Sequence, residues 1–291
     1  MKYLKLFENF NETDIHSICK RYGIINYTIN SDGSIDVDGD VDFSYKNFKT
    51  LPLRFNKING DFFCYYNNLT SLIGSPNDVS GNFICSTNDL KSLKYCPKKV
   101  GGNFDCSYNR LLSLEGCPEK INNNFNCSRN KLTSLEGCPK EVGGNFKCYN
   151  NDLTTLEGCP KEIGGDFYCN DNKLTSLLGC PEKINGDFYC YYNNLTSFEY
   201  CSKDISGNFY CLNNRITSFD YLPILVGGYF DCYNNPIYEI WKLFEDYYEI
   251  DFFNDCDPIR EPNTIILDRL NFFLEKIGKD PVSEVKGYKC I

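Results

Sequence analysis

Between residues 60 and 240 one hydrophobic pattern repeats without interruption. Phe recurs every 21 residues from Phe62 to Phe230, and two residues after each Phe stands a Cys, from Cys64 to Cys232. Three residues after each Cys comes an Asn, from Asn67 to Asn235. Leu or Ile follows at five, Leu, Phe or Ile at eight, and in most copies a second Cys at eleven, as in Cys96, Cys117, Cys138, Cys159, Cys180 and Cys201, usually followed by Pro. A Val or Ile and usually a Gly precede the next Phe. The unit is F-x-C-x-x-N-x-L-T-S-L-x-G-C-P-x-x-[IV]-x-G-x, and nine columns stay in register, so this is a repeat architecture. Phe-x-Cys alternates with period two, which places both side chains on one face of a short strand. The Asn carries donors and acceptors that can satisfy buried amides of the bend and of the neighbouring coil, so stacked copies predict an asparagine ladder. Gly-Cys-Pro turns the chain. One 21-residue coil cannot close a core, but coils stacked at the strand spacing of roughly 4.8 Å can.

The flanking patterns differ. Residues 11–23 read as a helix with Asn11 or Thr13 as N-cap, Ile15, Ile18 and Cys19 on its apolar side, and Gly23 ending it. Residues 24–44 predict a hairpin leading into the stack, with Ile35, Val37, Val41 and Phe43 alternating inward. A degenerate first coil follows, with Phe43, Phe48, Leu51 and Ile58 in the core columns. The stretches PIYEIWKLFEDYYEIDFF and TIILDRLNFFLEKIG predict two amphipathic helices, with Trp241 and Phe244 against the open end of the stack. The expected organisation is an N-terminal cap over 1–38, a solenoid of about nine to ten coils over 39–240 and a helical cap over 241–291. The fold class is a mainly β repeat protein with a parallel sheet.

The repeat resembles the leucine-rich repeat family: L-x-x-L-x-L-x-x-N-x-L maps onto F-x-C-x-x-N-x-L, with Phe and Cys in two of the Leu slots. It departs at the first Leu slot, where Gly or Asn often sits. The period is short for that family, which implies tight coils with little helix. The flanks, with MKYLKLFENF at the start and YEIWKLFEDY toward the end, are similar to proteins of large tailed bacteriophages. The resemblance implies that the strand face binds a protein.

Composition refines this picture. The 291 residues carry a formal net charge of −9, which argues against nucleic acid and against anionic lipid as partners. The charged N-terminus lacks a signal-peptide h-region, and no run of about 18 apolar residues occurs, so the expectation is a cytoplasmic protein without a membrane span. Eighteen cysteines then point to a reducing compartment. On parallel in-register strands the Cβ atoms of one column stay about 4.8 Å apart with parallel vectors. A disulfide needs about 3.8 Å and converging ones. The columns are therefore expected as free thiols that serve as small buried hydrophobes. There is no C-x-x-C and only one His, His16, so neither a metal nor another cofactor is expected.

Three weaker candidates lie outside the core columns. Asp32, Asp36, Asp38, Asp40 and Asp42 hint at a calcium loop, but the Gly and closing Glu of an EF-hand are missing, and an alternating strand with a wet Asp face explains them better. Cys256 lies between Asp255 and Asp257, whose charges disfavour the thiolate that a nucleophile needs. The Thr column that includes Thr133, Thr154, Thr175 and Thr196 resembles an ice-binding array, but Lys91 and Leu112 break it and Thr is a good strand former.

The informative variation is in the outward slots beside Cys. The slot before it includes Tyr168, Tyr189 and Tyr210; the slot after it includes Tyr149, Tyr191 and Tyr233, with Asp, Asn and Ser among the other residues of both. Tyr among small polar residues makes an effective protein-binding surface. The expected function is a non-enzymatic interaction module that grips a protein partner through these tyrosines. A structural component of a virion or surface is the alternative, and a cysteine-dependent enzyme using Cys256 the third reading.

Overall fold

The computed structural model describes residues 12–261 and 263–291. The chain winds into a mainly β, leucine-rich-repeat-like solenoid in which each coil contributes two very short strands. The Phe and the residue after it form one strand, as in Phe104–Asp105, and the residue before the core Val or Ile forms the other with it, as in Lys99–Val100. The Phe strands stack into a ten-stranded sheet, from Val41–Asp42 to Phe230–Asp231. The other strands stack into an eleven-stranded sheet that ends at Leu225–Val226. Between coils the pairing is parallel and in register, as Phe125 with Phe146 and Ile121 with Val142 show. The expected single parallel sheet is therefore two. The second ladder lies where the unit reads x-[IV], a dipeptide too short to show an alternation of its own.

The core is a stack of identical layers. From Phe62 to Phe209 the Phe column is fully buried. Neighbouring rings lie 5.3–5.7 Å apart between centroids. The Cys column beside it is equally buried, as are the Leu columns. All eighteen cysteines are free thiols. Burial pushes the Cys64 thiol well up, and Cys96 and Cys138 in the second column up to about 12, so these groups stay neutral and act as apolar filler.

Two side-chain ladders tie the coils together. In the predicted one, Asn130 donates through Nδ2 to the carbonyl of Cys106 one coil back (3.1 Å) and to Cys127 (3.1 Å) and Ser128 (3.2 Å) of its own coil. Its Oδ1 accepts the N–H of Leu111 in the previous coil (2.9 Å). The second ladder uses the residue just before each Phe, a slot with no assigned role in the sequence unit. From Asp40 to Asn208 that slot is always Asp or Asn. Each Oδ1 accepts the backbone N–H of the equivalent residue one coil on: Asp40 from Asp61 at 2.7 Å, Asn103 from Asn124 at 3.0 Å, Asp187 from Asn208 at 2.7 Å. A Cβ on Gly144 would come 2.5 Å from Asn124 Oδ1, so glycine beside this ladder gives the acceptor room.

Both ends are closed, with corrections to the expected detail. Helix α1 (Glu12–Tyr22) buries Ile15 and Cys19, and Gly23 ends it at φ +69°. Thr13 lies inside this helix rather than capping it, and Asn11 falls outside the described residues. Tyr27–Ile29 and Ile35–Val37 form the antiparallel hairpin; the first is the edge of the eleven-stranded sheet and the second pairs in parallel with the strand of the next coil, Phe55–Ile58. At the other end the first expected long helix is broken into α2 (Tyr238–Trp241), a 3-10 turn (Tyr247–Glu249) and α3 (Ile250–Cys256). The break falls at Glu245–Asp246, where Glu245 has φ +51° and the Asp246 carboxylate caps the next turn by accepting the Tyr248 N–H. Helix α4 (Leu267–Lys276) starts later than expected because Thr264–Ile265 joins a small three-stranded sheet with Ile259–Glu261 and Lys289–Cys290. Trp241 packs edge-on against Phe230 (5.0 Å) and Phe219 (6.0 Å), and Phe244 against Phe219 (5.9 Å), which covers the last layer as expected. Among the described residues no helix is long and apolar enough to cross a membrane.

Candidate functional site

The outward face of the Phe sheet carries the predicted tyrosines, and the repeat spacing determines how they meet. Tyr168, Tyr189 and Tyr210 occupy equivalent positions on paired strands. Their rings stack face to face, 4.4 Å and 4.9 Å between centroids, at 5° and 10°. The stack is closed at both ends: Lys147 Nζ lies 5.3 Å from the Tyr168 ring, and Tyr229 tilts against Tyr210 at 6.4 Å. Ring faces thus contact one another, and all three residues are half-buried. The Tyr168 hydroxyl donates to Asp166 Oδ2 at 3.0 Å and the Tyr189 hydroxyl to Asp187 Oδ2 at 2.8 Å. Burial, with the Asp166 carboxylate, pushes Tyr168 up to about 12; burial and Asp187 push Tyr189 higher. Both hydroxyls therefore stay protonated.

The other three predicted tyrosines sit one slot further round the bend. Tyr191 contacts Tyr189 (6.3 Å) and Tyr192 (5.6 Å), and so extends the stack sideways. Tyr149 lies apart, beside Arg129, whose guanidinium stands 5.8 Å from Tyr149 and 4.8 Å from Tyr108. Tyr233 is exposed on the last coil and packs edge-on to Tyr238 at 5.2 Å. The structure therefore joins Tyr168, Tyr189, Tyr210 and Tyr191 into one cluster and leaves Tyr149 and Tyr233 on its flanks.

The sequence reading missed the column two residues after Cys. In every coil this residue has positive φ, from Tyr66 (φ 50°) and Thr87 (φ 54°) to Asn234 (φ 55°). That backbone turns the side chain out, so Tyr66, Tyr108 and Tyr192 are about half exposed and add aromatic surface at the border of the face. Tyr45 stacks on Tyr66 at 4.7 Å and meets Tyr65 at 5.4 Å, a second aromatic cluster near the N-terminal cap. A period-21 signal was present, but the varied identities Tyr, Thr, Arg, Asn and Asp hid it.

The remaining candidates find structural partners. Asp36 Oδ1 accepts Asn56 Nδ2 (2.8 Å) and Lys57 N (3.0 Å); Asp38 accepts Asn59 Nδ2 (2.7 Å); Asp42 caps Ser44 N (2.8 Å). These acids link or cap coils instead of converging. Among the described residues no three His, Cys, Asp or Glu side chains form a metal-ligand group. Cys256 is half-buried at the end of α3, and burial with the Asp255 charge raises its thiol. His16 is exposed and its Nδ1 meets the Tyr27 hydroxyl at 2.5 Å.

No family model and no curated protein matches the chain. Among solved structures, YopM from Yersinia enterocolitica WA-314 is similar at 14% identity with a TM-score of 0.41, over 67% of this chain and 60% of that one. The match thus spans about three fifths of that protein's length.

Proposed function

We propose that the chain is a non-enzymatic interaction module that binds a protein partner through the outward face of the Phe sheet. The observation that supports this most is the contrast between columns: the Phe, Cys and Asn columns keep one residue through nine coils, while the outward slots vary and gather tyrosines toward one end. The stacked cluster of Tyr168, Tyr189 and Tyr210 offers a rigid aromatic edge with hydroxyls held in place by Asp166 and Asp187. Tyr191, Tyr149 and Tyr233 widen it. Preformed aromatic area of this kind binds with little loss of side-chain entropy. The similarity of the flanks to phage proteins suggests the target class, a host or phage protein in the infected cell.

The test uses residues that the repeat itself supplies. Ser occupies the Tyr191 slot in three other coils, as Ser86, Ser107 and Ser128, and Asn126 occupies the Tyr210 slot. The variant Tyr191→Ser, Tyr210→Asn should therefore keep the fold, as circular dichroism can verify. Intact protein and variant serve as baits in a reducing lysate, with captured proteins identified by mass spectrometry and confirmed with purified components. A partner that binds the intact chain and is lost from the variant supports the reading. A partner that binds both equally would move the site off this face.

A further inference from the structure

The two slots that precede each core Val or Ile change character in the last coil only. From Asn56–Lys57 to Lys203–Asp204 all eight pairs consist of Asn, Lys, Asp or Glu, and the ninth pair is Ile224–Leu225. Both side chains point away from the core: Ile224 is 82% exposed and Leu225 47%. Terminal repeats of a solenoid ordinarily become more polar, since they face water. Here the terminal coil does the reverse, at the end of a sheet.

Leu225–Val226 is the last strand of the eleven-stranded sheet. One coil earlier, the Lys203 carbonyl accepts the N–H groups of Ile224 (2.9 Å) and Leu225 (3.2 Å), and the Ile205 carbonyl accepts that of Gly227 (2.9 Å). The repeat places the carbonyls of Ile224 and Val226 at the corresponding positions of the free edge. The C-terminal cap does not lie flush against this edge. The cap crosses to residues 221–226 where the Tyr247 hydroxyl donates to the Pro223 carbonyl. A cavity of about 250 Å³ lies between those residues and Tyr248, Ile250, Asp251 and Asn254. Its exposed rim is aromatic, with Tyr221 69% and Tyr248 86% exposed. A strand edge that the cap covers only in part, with apolar side chains on its open face, is a template for another strand.

We infer that this edge accepts an extended segment of a partner protein as an added strand, and that the segment carries alternating apolar residues flanked by basic ones. The charge around the cavity decides between occupants. Asp251 lines it, exposed Asp220 precedes Tyr221, and no Lys or Arg is among the lining residues. A second copy docked on the same face would set these carboxylates against each other, whereas a basic-flanked segment complements them. The site is separate from the tyrosine face of the other sheet.

The probe is an arrayed set of fluorescent ten-residue peptides with apolar residues at alternate positions, flanked either by paired lysines or by paired aspartates. Binding to the intact chain is read by fluorescence anisotropy. The test variant is Ile224→Lys, Leu225→Asp, which installs the Lys203–Asp204 pair of the previous coil and so preserves the coil; its melting curve verifies this. The expected result is saturable binding of lysine-flanked peptides, at least about tenfold weaker for aspartate-flanked ones and for the variant. Tyr191→Ser, Tyr210→Asn should bind the peptides unchanged. Absence of saturable binding across the array, or equal binding by the Ile224→Lys, Leu225→Asp variant, overturns the inference. Sedimentation equilibrium of the intact chain is the second readout. Dimerisation abolished by the same variant would assign the edge to a second copy instead.

Discussion

Each ladder asparagine acts in two coils at once. Asn130 satisfies two carbonyls of its own bend, one carbonyl of the previous coil and one N–H of the previous coil, all in buried positions. Asn130→Ala leaves the buried Leu111 N–H without a partner and removes one of the two amide donors of the Cys106 and Cys127 carbonyls, which keep Asn109 and Asn151. An unsatisfied buried group costs about 1–3 kcal/mol before relaxation. A loss of roughly 1–3 kcal/mol in urea unfolding is expected. Asn130→Asp should be no better, because a carboxylate keeps the acceptor but loses the Nδ2 donors; a near-neutral Asp variant would show that the donors contribute little. The column two residues after Cys offers the opposite test. Thr87 is β-branched yet has φ 54°, while Asn150, Asn213 and Asn234 hold the same position comfortably. Thr87→Asn should therefore raise stability by about 1 kcal/mol, seen as a higher melting temperature. This column shows where sequence reasoning stops at the residue scale. Identical residues at period 21 revealed the Asn and Cys roles, but a shared backbone conformation with varied side chains left no such signature.

At the scale of the element, the coil is held less by its two-residue strands than by what flanks them. The Asp/Asn slot before Phe was legible only as a column of like residues, and its role depends on a backbone N–H one coil away that no local pattern encodes. One acidic member, Asp187, makes stability depend on pH. Although partial burial opposes ionisation of Asp187, the Asn208 N–H and amide and the Tyr189 hydroxyl outweigh it and hold the carboxyl below its ordinary value. A folded-state value below the unfolded one means that the contribution is fully present above about pH 4 and is lost as pH falls through the lowered value. Asn fills this slot in other coils and accepts the same backbone bond, so Asp187→Asn is a fold-compatible reference. Urea unfolding of both proteins at pH 6 and pH 3 should show the stability difference shift against the wild type at the lower pH. An unchanged difference would mean that Asp187 titrates alike in both states. The C-terminal cap was the least legible element. Its apolar spacing read as one long helix, whereas Glu245 in left-handed backbone and the Asp246 cap divide it.

The whole molecule is a one-dimensional stack, because both ladders, the Phe column and the strand pairing each link a coil only to its neighbours. That much follows from an uninterrupted period of 21, which is why the solenoid was legible and the surface that meets a partner was less so: contacts along the axis repeat, whereas outward side chains are free to differ. The stack must therefore respond differently to damage at its middle and at its end. Phe146 lies between Phe125 (5.3 Å) and Phe167 (5.5 Å), fully buried, so Phe146→Ala removes contacts on both sides and should cost about 3–5 kcal/mol. Trp241 touches only the last layers, Phe219 and Phe230, so Trp241→Ala uncovers one end. In native-state hydrogen exchange the first variant should lose protection in the coils around residue 146, with the loss spreading toward both caps. The second should lose it in the coils after about residue 205 and keep the protection of Cys106, Cys127 and Cys148 amides near wild type. These amides donate to Asn126, Lys147 and Tyr168 and report the central ladder directly. Equal loss of central protection in both variants would show that the solenoid opens as one cooperative unit, and that coupling along the axis is stronger than nearest-neighbour contacts supply.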